Sequence, residues 1–116
     1  MSAKIIRFAH QSTIAAAALL LSVSTPSLAW DGTVTGKIAQ LHVAAGGENY
    51  GFRVTLVGGP TMCTGGASWA AINTSATNYQ AIVSMLALAY SLGKDVTIYT
   101  TKDANNYCII GFMSLS

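Results

Sequence analysis

Charge is what this sequence has least of. Six basic and four acidic residues are spread over 116 positions, 9 % of the chain, against about a quarter in an average soluble domain. Two of the six, Lys4 and Arg7, sit near the start. Past residue 29, Lys37, Arg53, Lys94 and Lys102 stand against Asp31, Glu48, Asp95 and Asp103, and the net charge is zero. A chain with no basic patch has nothing to neutralise phosphates, so nucleic acid is not an expected partner. Little charge beside many apolar residues predicts instead that part of the surface is buried against partner chains.

Catalytic residue types are equally sparse. Histidine occurs twice, at His10 and His42. One histidine near a strand end, with the cysteines bonded to each other, makes no metal site, and no cofactor is expected. No G-x-S-x-G elbow is present and the serines have no partnering base. Gly58-Gly59 and Gly65-Gly66 lack the surroundings of a phosphate loop. Asp31, Glu48, Asp95 and Asp103 fall in turns or at strand ends, whereas a glycosidase pair needs two carboxylates held on rigid elements about 5–10 Å apart. The chain therefore reads as a non-enzyme.

Long apolar runs are missing except at the start. Residues 13–23 (TIAAAALLLSV) follow Lys4 and Arg7 and precede Pro26 and Ser27-Leu28-Ala29. That is the n-region, h-region and small-residue cleavage site of a secretory signal, and the apolar stretch is short for a membrane span. Residues 1–29 are read as a signal peptide cleaved after Ala29, with an uncleaved N-terminal anchor as the alternative, so the protein is expected to be exported to the periplasm or secreted. The remaining 87 residues (30–116) form one domain, small enough to gain from a staple or from oligomerisation. Its two cysteines, Cys63 and Cys108, are expected to form one disulfide in an oxidising compartment. Two reduced buried thiols or a redox pair are the alternatives, though no C-x-x-C spacing is present.

What is there is a run of strand-like segments around one helical stretch. Residues 33–43 are rich in β-branched residues, with Gly36 allowing a bend or bulge. Residues 51–57 (GFRVTLV) alternate, with Phe52, Val54 and Leu56 on one face. A short third strand is read at 68–72, a fourth at 95–100 with Val96 and Ile98 inward, and a fifth at 107–115 after the polar turn at 102–106. Between the third and fourth, residues 74–93 carry Tyr79, Ile82, Val83, Leu86, Ala89 and Tyr90 on one helical face. Ser75 or Thr77 is placed to cap its start, and Gly93 to end it. The order β-β-β-α-β-β, mainly β with one helix, is that of a five-stranded OB-fold barrel plugged by the helix, although other α+β rolls share it.

Aromatic rings are plentiful for so uncharged a chain. Trp30, Tyr50, Trp69, Tyr79, Tyr90, Tyr99 and Tyr107 could pack on the C–H faces of sugars while Asp, Thr, Ser and Asn bind hydroxyls. Core or interface packing is the plainer reading for Trp69, Tyr79 and Tyr90.

Two segments carry a resemblance. Residues 30–38 (WDGTVTGKI), followed by Gln40-Leu41-His42, and residues 93–99 (GKDVTIY) resemble the pertussis-like toxin B subunits, the B subunit of subtilase cytotoxin among them. The resemblance implies an OB-fold barrel in a homopentameric ring whose helices line the pore. It also implies binding of sialylated host-cell glycans and docking of a catalytic A subunit. Carried over by position, Asp31 and Thr35 match the strand-one sugar pocket, where a serine is usual, and Thr100 stands where the family has a sugar-selecting tyrosine. The stretch between Trp69 and Gly93 is longer here, and the cysteine positions match only in part. The expected function is a secreted, non-enzymatic glycan-binding subunit, with glycan contacts at Asp31, Thr35 and Thr100. The alternative is a small periplasmic or secreted structural or inhibitor-like protein of the same fold with no toxin partner.

Overall fold

The protein's architecture comes from a computed structural model that describes residues 30–45 and 49–116. The signal peptide read at residues 1–29 and the acidic residue Glu48 lie outside the described residues. Among the described residues, five strands and one helix follow the expected order: β1 (Gly32–Val43), β2 (Phe52–Leu56), β3 (Ala70–Ile72), α1 (Tyr79–Leu92), β4 (Asp95–Lys102) and β5 (Cys108–Leu115).

One long strand makes the sheet possible. Twelve residues of β1 span about 40 Å when extended, more than one short partner can cover. Its first half pairs with β4 from Gly32↔Thr100 to Lys37↔Asp95, and its second half pairs with β2 from Ile38↔Leu56 to Val43↔Phe52. Hydrogen bonding then runs β1-β2-β3-β5-β4 and returns from β4 to β1, so the sheet closes on itself. The ladder is irregular between Ile38 and Gln40, where β1 has just passed from β4 to β2. An extra residue there bends the strand and strengthens its twist. Gly36, the expected site of a bulge, sits in regular register opposite Val96.

Alternation decides what the closed sheet encloses. Phe52, Val54 and Leu56 point inward from β2, and Val96 and Ile98 from β4, as their period of two predicts. Ile38, Met62, Ile72, Ile110 and Met113 complete this core. Leu86 and Ala89 of α1 enter it fully buried, with Tyr79, Ile82 and Val83 packed half-buried beside them. Tyr90 differs from expectation. It lies about 100° around the axis from Ala89, at the edge of the apolar stripe in the last turn, and is 50 % exposed.

The helix is shorter than its pattern suggests. Residues before Tyr79 are used in turns, with Ala76 N–H bonding Asn73 O and Tyr79 N–H bonding Ala76 O. Asn78 takes the N-cap position without a side-chain hydrogen bond, so neither Ser75 nor Thr77 caps the helix. At the other end Gly93 adopts φ 64°, and the helix closes with Lys94 N–H on Ala89 O, as a residue without Cβ permits. No charged side chain occurs along α1. Its outward side exposes Leu88 and Leu92, 50 % and 58 % accessible.

Cys63 and Cys108 form a disulfide, with 5.6 Å between their Cα atoms. Intact mass of the isolated protein should therefore be two hydrogens lighter than that of the reduced chain, and free thiols titrating in the folded protein would contradict it. Leu86→Ala should destabilise the fold by about 2–5 kcal/mol in urea unfolding. An unchanged midpoint would mean that α1 does not plug the sheet.

Candidate functional site

The three residues expected at the sugar pocket all lie where β1 begins beside β4, but they do not share one cavity. Asp31 stands just ahead of β1. Its N–H donates to Thr100 O at 2.8 Å, and its carbonyl accepts from Thr64 N–H at 2.9 Å and from the Thr64 hydroxyl at 3.1 Å. Its carboxylate oxygen Oδ2 accepts the Lys102 N–H at 2.7 Å. These bonds fix the carboxylate at the rim of a depression of about 240 Å³ that Thr33, Thr61 and Thr64 also line. One carboxylate and three hydroxyls can both accept from and donate to a polyhydroxylated ligand.

Gly32 shapes this depression. A Cβ there would lie 2.1 Å from Met62 O and 2.7 Å from Thr100 Oγ1. Only glycine lets the loop between β2 and β3 dock this closely on β1. Thr35 lies outside the depression, two residues beyond Thr33 on the same outward face, or about 7 Å along the strand. Its hydroxyl shares a 2.8 Å hydrogen bond with that of Thr97, its cross-strand partner. Lys37 and Asp95 form an exposed ion pair at 3.1 Å in the next outward position.

Thr100 points the other way. It follows Val96 and Ile98 at period two and is fully buried, and its hydroxyl donates to Met62 O at 2.6 Å. It anchors the β2–β3 loop from inside and is out of reach of a ligand on the outer face.

A second cluster forms where β2, the start of β3 and the β4–β5 turn meet. Tyr50, Trp69 and Tyr107 pack together, with ring centroids 4.7 Å apart for Tyr50–Tyr107 and 5.1 Å for Trp69–Tyr107. Arg53 lies over the Trp69 ring at 4.3 Å, and its Nε–H donates to Tyr50 O at 2.8 Å. The Tyr50 hydroxyl donates to Asp103 Oδ2 and accepts from Asn105 Nδ2 at 3.2 Å. Asp103 Oδ1 in turn accepts the N–H groups of Asn105 and Tyr107 at 2.9 and 3.0 Å, an aspartate folding its own turn. Trp69 is thus half-buried against other side chains, as its plainer reading held. The partners come from three distant stretches, and no spacing in the sequence announces them.

These bonds set the titration of the pair. The Tyr50 hydroxyl, and after it the turn N–H groups, hold the Asp103 carboxyl below its ordinary value of 3.8, against partial desolvation. The bond to Asp103 raises Tyr50 above 10.0. Among the described residues no three of histidine, cysteine, aspartate and glutamate come together as metal ligands, and no helix is long and apolar enough to cross a membrane. Family models, curated proteins and solved structures were each compared with the chain, and none of them matches it.

Two measurements follow from these bonds. Asp103, depressed in the folded chain, contributes stability above pH 3.8 that is lost as pH falls through its lower folded value. Tyr50, raised, contributes stability below pH 10.0 that is lost as pH rises through its higher folded value. Tyr50→Phe should therefore move the Asp103 carboxyl, followed by NMR, upward toward 3.8, and no movement would show that the bond does not hold the carboxylate. Thr100→Val keeps the shape but orphans Met62 O, and should cost about 1–3 kcal/mol in denaturant unfolding.

Proposed function

We propose that this chain is an exported, non-enzymatic carbohydrate-binding protein, built as an OB-fold barrel and acting as an oligomer in the manner of a toxin B subunit. The observation that carries the reading is the depression at the start of β1, where the fixed carboxylate of Asp31 stands among the hydroxyl-bearing residues Thr33, Thr61 and Thr64. The fold supports it. A sheet that closes on itself, with one helix between the third and fourth strands, has the element order of an oligosaccharide-binding barrel. The two segments that resemble toxin B subunits also fall together, in β1 and β4, paired through six residue pairs from Gly32↔Thr100 to Lys37↔Asp95.

Oligomerisation rests on the outer side of α1. A solvent-facing helix normally carries charges on that side, whereas this one carries none and exposes Leu88 and Leu92. A homopentamer that packs these faces against neighbouring helices around its pore would cover them, and a catalytic A subunit would dock on such a ring. The ligand in this reading is a sialylated or related host-cell glycan. Export rests on the N-terminal signal pattern, and the disulfide fits an oxidising compartment.

One observation favours a second reading, an exported structural or inhibitor-like protein of the same fold with no toxin partner. Thr100, at the position of the family's sugar-selecting tyrosine, is buried and bonded to Met62 O, so it offers nothing to a sugar.

A glycan array with the mature protein, Asp31→Asn and Thr35→Ala separates the two. The first reading expects selective binding to sialylated glycans, lost in Asp31→Asn and weakened in Thr35→Ala. Folded, disulfide-bonded protein that binds no glycan would favour the second reading. Native mass spectrometry should give a pentamer, and a monomer at micromolar concentration would remove the ring.

A further inference from the structure

Among the described residues, Arg53 is a fixed cation with no anion beside it. Its Nε–H is spent on Tyr50 O and its Cζ lies 4.3 Å from the Trp69 ring centroid, two contacts that orient the guanidinium before any ligand arrives. Among the described residues the one ion pair is Lys37–Asp95. Asp103, the acidic member of the neighbouring cluster, spends both carboxylate oxygens on Tyr50, Asn105 and Tyr107. Arg53 instead borders a cavity of about 330 Å³ on the outer face of the β1–β2 ladder, lined also by His42, Val43, Ala44, Thr55 and Trp69.

The strand register places the polar groups around it. His42 pairs directly with Arg53, and Gln40 with Thr55, across the two strands. Gln40 holds the His42 ring through a 3.1 Å bond between Oε1 and Nε2. The guanidinium, the imidazole and the Thr55 hydroxyl are the polar part of the lining, and Val43, Ala44 and the indole of Trp69 the apolar part. None of these residues lines the depression at Asp31, which lies at the other end of β1.

We infer that this cavity is a second binding site, distinct from the one proposed at Asp31, and that it takes a small ring-shaped carboxylate. A guanidinium with one edge occupied presents its remaining N–H groups to a planar anion, the geometry that carboxylates match. Arg53 is the one permanent cation among the six lining residues, which suits a monoanion and leaves a phosphate dianion undercompensated. The volume is at the small end of ligand pockets and accommodates one ring, whose apolar side meets Val43 and Ala44 beside the indole.

Glucuronate and glucose test this as a matched pair, the same ring with and without the carboxylate. The chain has two tryptophans, Trp30 and Trp69, so their indole N–H signals can be followed separately by NMR in the disulfide-bonded protein. Glucuronate should shift the Trp69 indole and Arg53 Nε–H signals saturably, while Trp30 stays still and glucose and inorganic phosphate bind more weakly. Arg53→Gln should weaken glucuronate by about tenfold or more, the usual worth of a charged hydrogen bond. Thr55→Val, which leaves Arg53 and its contacts in place, should weaken it by a smaller factor. Asp31→Asn should leave the Trp69 response unchanged, whatever it does to glycan binding. No saturable shift at Trp69, an equal response to glucose, or tighter binding of phosphate would each overturn the inference.

Discussion

The bond between Cys63 and Cys108 holds the part of this molecule that has least regular structure of its own. Residues 57–69, between β2 and β3, contain no strand or helix, yet they contribute Met62 to the core and line the depression at Asp31. The disulfide ties this loop to the start of β5, closing a separation of 45 residues. The chain-entropy treatment assigns a loop of that size about 4 kcal/mol. Everything else in the loop is fitted to that tie. Gly66 leaves room for both sulfur atoms, since a Cβ there would fall 2.3 and 2.6 Å from them. Met62 N–H bonds Ala67 O, Thr64 N–H bonds Asp31 O, and the buried Thr100 hydroxyl takes Met62 O.

The same tie closes the sheet. β3 is three residues long and meets β5 through two parallel pairs, Ala70↔Cys108 and Ala71↔Ile109. That is little ladder for the seam of a closed sheet, and one of its four residues is itself half of the disulfide. The two cavities on the outer surface depend on this closure in different ways. The depression at Asp31 has the bonded loop as its wall. The cavity at Arg53 needs Trp69, which stands one residue before β3 and is held between Tyr50, Tyr107 and Arg53.

Local pattern carried the elements well. The strict alternation of GFRVTLV and DVTIYT put Phe52, Val54, Leu56, Val96 and Ile98 inside, and each is there. The same period of two extends to Thr100 and was a readable sign that this residue faces inward. Reading it through a family position placed it among the outward sugar contacts instead. The start of α1 lies later than the local pattern suggests because the polar residues ahead of it are compatible with helix but are used in turns. The irregularity in β1 falls beside the point where the strand changes partners. That is a property of the closed sheet and leaves no trace at Gly36. Trp69 and Tyr107 meet Tyr50 and Arg53 through tertiary structure alone, so the Arg53 cavity is not legible from any single stretch.

The sharing of β1 between two partners has a consequence for the order of assembly. Its second half finds β2 across a short connection. Its first half needs β4, and Thr35 and Thr97 are 62 positions apart. Non-local pairings of this kind form late, because the loop must be closed before the contacts repay it. A chain emerging N-terminus first therefore carries half of its longest strand unmatched until β4 has been made, and the sheet closes only once β5 has followed.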